Sequence, residues 1–393
     1  MKLNMAFCTS FFAAASHNAA AFVSKPHSRR LASLLTRHMS SSTSTSNISR
    51  LDTLQTLLNK AGAPGVHTCN IPGDLEPVNA HQNETLKLHP HLYPIAKSTA
   101  KPDHYICALR RAYADDALYE SSTNAPWPIV EAKLNGPGYT LLSLNSEHMM
   151  RRMAAQADGG ESSPDVNADE IVDLYNEHLG KGLQVVESAF DNLYDRGAVE
   201  KLGYGVSKYV LLRVGPFPDL YEEMASQHSQ RGDESSALIA AEAANGKLTG
   251  FASTFKFYAE LLSSFPNRED EVRDAARVCL RMALPSIGMN TADFVRVSQL
   301  AALCTRNDDR NTALDNMKAM FEKIKNHEEE NEKEKANMTP EQVAIEDANQ
   351  ILDKMVFVDD DDRDWTTVRK ELGDIYASAG LDEMASFVDP SRS

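Results

Sequence analysis

Cysteine is scarce in this chain, with five in 393 residues and no CxxC pair among them. The scattered thiols Cys8, Cys69, Cys107, Cys279 and Cys304 exclude a disulfide framework and a zinc knuckle, and they suit a reducing compartment. Long apolar runs are missing too. None approaches the ~20 residues of a spanning helix, so no membrane span is expected. Basic residues are outnumbered, 40 against 56 acidic, for a formal charge of −16. A chain of that sign repels phosphate backbones and anionic lipid, which excludes a general nucleic-acid or membrane-surface binder. Nucleophile elbows, phosphate loops and dinucleotide fingerprints are absent: Gly136-Pro137-Gly138 and Gly203-Tyr204-Gly205 lack the following glycines.

Metal chemistry is equally poorly served. His67-Thr68-Cys69, His81 and His89-Pro90-His91 lie in a Pro-rich stretch without the four convergent ligands that zinc takes. Asp359 to Asp362 with Asp364 lack the central Gly and terminal Glu of a calcium loop, and read instead as a cap for a helix near Trp365. The sequence therefore assigns no catalytic residue, no cofactor and no metal.

What is present is enough apolar material for a core, 42% of residues, and a very uneven charge. Residues 1–49 carry Lys2, Lys25, Arg29, Arg30 and Arg37 and no acid at all, so residues 50–393 stand at −21. Most of that excess lies beyond Asn307, where 23 acids face 11 bases. Such a surface favours a basic protein partner over a phosphate-rich one.

The acid-free segment has internal order. Lys2 precedes an apolar stretch from Met5 to Ala15, then Ala19-Ala20-Ala21-Phe22, then a Ser- and Arg-rich tract ending in Ser40 to Ser46. This resembles the bipartite presequence of plastid proteins in diatoms and related algae. The resemblance implies cleavage between Ala21 and Phe22 and delivery to the plastid, the stroma in particular. A mitochondrial presequence, also Arg- and Ser-rich, is the alternative.

Beyond this presequence (1–49), Pro and Gly punctuation predicts a connector over 50–102 with one short helix at 51–58. A small helical region follows over 103–157, with Tyr105, Leu109, Ala112 and Tyr113 on one face. The Gly- and Ser-rich segment 158–165 reads as a linker and 166–393 as a helical array. Tyr209 to Val214 is the single strand-like run.

Within the array a pattern recurs. Met224-Ala225 with Gly232 and Ala237, Leu300-Ala301 with Asp308 and Ala313, and Leu372-Gly373 with Tyr376, Gly380 and Ala385 fall in register. The closing alanines lie 76 and 72 residues apart, each near twice the ~34-residue period of tetratricopeptide (TPR) repeats. These segments resemble that family, without its first-position Trp and closing Pro. The resemblance implies paired helices whose small residues permit close approach, with a glycine at the turn. The fold class expected is mostly α: a divergent TPR-like α-solenoid or an irregular helical-hairpin array, with a smaller helical N-terminal region.

The functional reading follows from architecture. A non-catalytic organellar scaffold or assembly factor, binding a protein through its repeats, is the first expectation. Arg110, Arg111, Trp127, Arg151 and Arg152 are its candidate partner contacts, because Arg and Trp are enriched at interface hot spots. The competing reading is an enzyme with an unfamiliar site in 103–157, built from His104, Arg110, Arg111, Glu147 and His148.

Overall fold

Leu51, Leu54, Leu57 and Leu58 recur at helical spacing and form the buried stripe of α1 (Ser40–Ala61). The computed structural model describes residues 40–61, 75–77, 84–98, 101, 103–112, 127–161, 167–180, 193–288, 291–305, 308–329 and 338–392. The chain divides between Ser44 and Thr45, and everything below concerns the body from Thr45 onward. The cleavage pair Ala21-Phe22, and His67, Cys69 and His81, lie outside the described residues.

Against α1 lies a five-stranded antiparallel meander: β1 (Leu75–Pro77), β2 (Leu92–Ser98), β3 (His104–Leu109), β4 (Ile129–Lys133) and β5 (Tyr139–Ser143), adjacent in that order. Register pairs His104 with Lys133 and Ala132 with Tyr139. Pro94, which has no N–H to donate, sits where the β2–β3 register shifts. Ile106, Ala108, Ile129 and Leu142 join one core with α1, α2 (Ser146–Asp158), α3 (Ala168–Gly180), α4 (Ala198–Leu202) and α5 (Val206–Arg213). Tyr105, Cys107, Leu109, Val130 and Leu141 face a second core, with Ala244, Leu248 and Phe251.

This sheet corrects the helical reading of 103–157, where among the described residues only α2 is helical, and the connector reading of 50–102, which contains β2. Both strand faces are buried, so β3 reads His-Tyr-Ile-Cys-Ala-Leu without the alternation of a half-exposed strand. Chance spacing of Tyr105, Leu109 and Ala112 then mimics a helix. The strand-like run at Tyr209 lies largely in α5, because its apolar residues meet a helical core rather than a strand partner. One core draws on residues from Leu51 to Leu220, on both sides of the segment 158–165, of which 162–165 lie outside the described residues.

The described residues beyond α5 are mainly helical: α6 (Pro218–Gln230), α7 (Glu234–Lys247), α8 (Ser253–Leu262), α9 (Glu269–Arg281), α10 (Thr291–Leu300), α11 (Arg310–Glu329), α12 (Pro340–Met355), α13 (Trp365–Ser378) and α14 (Asp382–Val388). Mostly α is therefore the fold class. Among the described residues no helix is long and apolar enough to cross a membrane. All three recurring segments fall on helix–turn–helix units, α6–α7, α10–α11 and α13–α14. Ala225, Ala237, Ala301, Ala313, Tyr376 and Ala385 are buried, and Gly373 lets Asp389 and Arg392 approach the α13 backbone. Gly232 and Gly380 turn their hairpins at φ +77° and +78°, a conformation that glycine adopts without strain.

The sheet and the C-terminal helices are joined by buried polar groups. Arg369 on α13 donates to the carbonyls of Leu86 (3.0 Å), Leu88 (2.9 Å), Pro90 (3.5 Å) and Val388 (2.9 Å). Burial lowers its pKa to about 10. Arg363 donates to the carbonyls of Met355, Asn135 and Val358 and pairs with Asp360 at 2.8 Å. Trp365 Nε1 donates to the Gly136 carbonyl at 3.2 Å, so the β4–β5 turn is held from the C-terminal side. On its other side Gly138 abuts Pro285, where an added Cβ would lie 2.1 Å from the carbonyl oxygen. Two imidazoles complete the joint. His91 Nε2 and the Tyr376 hydroxyl are 2.9 Å apart, and His89 stands edge-on to Trp365 and Tyr139.

Replacing Arg369 by Met strands several buried carbonyls, and an unsatisfied buried group costs ~1–3 kcal/mol. We expect R369M to lose at least that much in chemical denaturation, with R369K partly restored; wild-type stability in R369M contradicts this role. Burial, then neighbouring Arg369, lowers the His91 pKa from 6.5 to about 3, and burial likewise holds His89 well below its ordinary value. The unfolded chain thus binds more protons, so stability is complete above pH 6.5 and falls as pH drops toward 3. Each imidazole contributes a slope of ~1.4 kcal/mol per pH unit in that window. Denaturation between pH 7.5 and 5 measures it, and a flat profile excludes a buried neutral pair.

Candidate functional site

Each cation singled out from the sequence is engaged within the chain. Arg110, just past β3, pairs with Glu383 at 3.0 Å and lies 5.0 Å from the Phe387 ring and 5.7 Å from the half-buried Trp127. Trp127 also meets Phe387 and Tyr93, so this pair fastens the sheet to α14. Arg111 covers Phe251 at 4.5 Å and donates to the Gly250 carbonyl at 3.3 Å, reaching the α7–α8 turn. Arg151 donates to the Tyr175 hydroxyl at 3.4 Å and faces the rings of Tyr175 and Tyr194. Arg152, only 3% exposed, forms a fork with Asp219 at 2.8 and 2.6 Å and covers Phe217. These five residues, expected as partner contacts, have contacts that join elements of one chain, which the sequence reading did not foresee. The reason is distance in sequence. Asp219 and Glu383 lie 67 and 273 residues from their arginines, beyond any local pattern.

The enzyme candidates do not converge. His104 Nδ1 contacts Glu131 at 2.9 Å on the sheet. His148 packs beside Phe217 and Gly215, and burial lowers its pKa to about 4. Glu147, its neighbour on α2, contacts α3 instead.

That turn of Glu147 toward α3 builds the clearest polar cluster. Ile171, Tyr175 and His178 recur at i, i+4, i+7, which places a histidine on the buried stripe of α3. Tyr175 donates to Glu147 Oε1 at 2.8 Å. His178 Nε2 lies 3.3 Å from Glu147 Oε2, while its Nδ1 lies 3.2 Å from the Thr53 hydroxyl on α1. Burial, then the Glu147 charge, raises the Tyr175 pKa and keeps its hydroxyl protonated as a donor. Above His178 an open cleft of about 190 Å³ separates α1 from α3, lined by Asp52, Thr53, Thr56, Leu174, Glu177 and His178. Sequence reasoning found Glu147 and missed His178. The available signal was a titratable residue on an otherwise apolar helix face.

Comparison with known proteins places the helical part in context. The family model described as the PAB middle domain matches residues 218–304, starting at the first residue of α6, and the PAB C-terminal domain model matches 317–391. The chain is 26% identical over 264 residues, 66% of its length and 69% of the relative's, to an Arabidopsis thaliana protein named "Protein IN CHLOROPLAST ATPASE BIOGENESIS, chloroplastic". No solved structure matches.

If Arg152 is a joint, its removal destabilises rather than merely weakening recognition. Breaking a buried charge pair costs ~3–5 kcal/mol, less here because Asp219 keeps some solvent. R152A is expected to lose about 2–4 kcal/mol in denaturant titration. Full retention of stability would return Arg152 to the surface-contact reading.

Proposed function

We propose that this chain is a plastid assembly factor serving ATPase biogenesis, and that it binds a protein partner through its helical hairpins. Similarity to the Arabidopsis thaliana protein named for chloroplast ATPase biogenesis carries the reading, and it extends over two thirds of either chain. The two family-model matches lie on the helical array where partner binding is assigned. The acid-free leader supports import into the plastid, and the stroma is the assigned destination. The hairpins at 224–238, 300–314 and 372–385 act in this reading as divergent TPR-like units, each burying one side on its neighbours. Scattered placement of His104, Arg110, Arg111, Glu147 and His148 favours a binding role over an enzyme. The −21 balance of residues 50–393 favours a partner with basic surface.

Disrupting the gene in its own host tests this. Assembled plastid ATPase, resolved on native gels, is expected to fall several-fold while synthesis of its subunits continues. Normal ATPase accumulation refutes the reading. A fluorescent fusion of residues 1–50 should enter the plastid, and the imported protein should begin upstream of Leu51, since that residue belongs to the core.

A further inference from the structure

The side of α5 turned away from the core carries apolar groups where a surface helix is ordinarily polar. Val206, Tyr209 and Val210 take its buried side. Opposite them Lys208 and Leu212, at i and i+4, share an exposed face, with Leu212 65% exposed. Tyr204, 64% exposed just before the helix, extends that strip, because the Lys208 ammonium sits 5.7 Å from its ring centroid. Leu193, 60% exposed, precedes Tyr194, whose ring meets Tyr209 on α5. Of the five large apolar side chains exposed among the described residues, three therefore belong to this region. Such a gathering marks an interaction surface, whereas a single exposed leucine does not.

Charge gives the sign of what covers it. Residues 196–214 hold four bases, Arg196, Lys201, Lys208 and Arg213, against one acid, Glu200, in a body whose balance is −21. Arg196 is taken by Asp169 and Asp173, and Lys201 by Asp195. Lys208 and Arg213 are exposed, and among the described residues neither pairs with a carboxylate. That separates them from Arg110, Arg111, Arg151 and Arg152, all engaged within the chain. Two open cations beside a leucine and a tyrosine complement an apolar segment flanked by Asp or Glu.

Other covers match less well. An anionic membrane is attracted by Lys208 and Arg213 but repelled by the acidic body around them. A twofold pairing of two copies sets the patch against itself, which brings its cations together.

We propose that the face formed by Tyr204, Lys208, Leu212 and Arg213 docks an acidic amphipathic segment of a protein partner. Apolar side chains of that segment cover Leu212 and the Tyr204 ring, and its carboxylates meet Lys208 and Arg213. This contact is opposite in sign to the one assigned to the hairpins, and it requires no ATPase role.

Titrating blocked helical peptides into the full-length protein, with the Leu212 methyl and Tyr204 ring signals followed by NMR, tests the proposal. A peptide of leucine and glutamate should shift both signals saturably. The same peptide with lysine for glutamate, or with serine for leucine, should not. K208E/R213E and L212S should each weaken binding by about tenfold. All three side chains are exposed, so circular dichroism and the denaturation midpoint should stay those of the wild type. No saturable shift, or an equal response to the lysine peptide, overturns the proposal. Tighter binding to phosphatidylglycerol vesicles than to the acidic peptide makes the face a membrane contact and overturns it too. So does a wild-type dimer in sedimentation that L212S converts to monomer, since the cover is then a second copy. Failure here leaves the ATPase reading intact, whereas normal ATPase accumulation after gene disruption, with acidic-peptide binding present, removes that reading and keeps this surface.

Discussion

A guanidinium buried against backbone carbonyls holds this molecule together. Arg369 reaches the 86–90 segment and the end of α14 at once, and Arg363 does the same for the β4–β5 turn and the end of α12. Carbonyl partners leave most of the positive charge uncancelled, so burial lowers the Arg369 pKa instead of raising it. The arrangement depends on geometry more than on charge pairing. A planar fork with five donors can satisfy carbonyls from separate segments, which a lysine cannot do in the same plane. Because those carbonyls belong to turns, the arginines fix where the sheet ends relative to the helices.

The helical array was the legible part of the sequence. Recurring Ala and Gly positions marked hairpins because small residues at a close helix crossing leave a local trace. Ala225 and Ala237 lie 12 residues apart and meet within a single unit. The sheet was illegible for the opposite reason. Its strands are covered on both faces, so neither alternation nor an exposed polar edge distinguished β3 from a buried helix. The arginine joints were half legible. The residue types stood out, but their partners lie up to 273 positions away, as in the Arg110–Glu383 contact, and no local spacing encodes such a meeting. Glu147 drew notice as a carboxylate beside a histidine, yet its relevant histidine proved to be His178 on the next helix.

These joints also bear on how a partner can be recognised. Arg110, Arg111, Arg151 and Arg152 bind elements of the same chain, which withdraws much of the basic charge from recognition. Arg110 and Arg152 each take one carboxylate with them, Glu383 and Asp219, so these pairs leave the acidic balance of residues 50–393 unchanged. The proposed recognition through the hairpins uses the part of the chain that starts at Pro218, beyond these arginines.

The tie between the 86–91 segment and α13 has a temporal consequence. Its hydrogen bonds span 279 to 285 residues, so one half of the joint is synthesised or translocated long before the other. Until Trp365 and Arg369 arrive, Leu88 and His89 lack part of their cover. Contacts this distant form late and slow the search for the native state. A chain threaded into a compartment from its N-terminus would therefore expose a sticky sheet face until its last few dozen residues had followed. Completion of entry and completion of folding become nearly the same event.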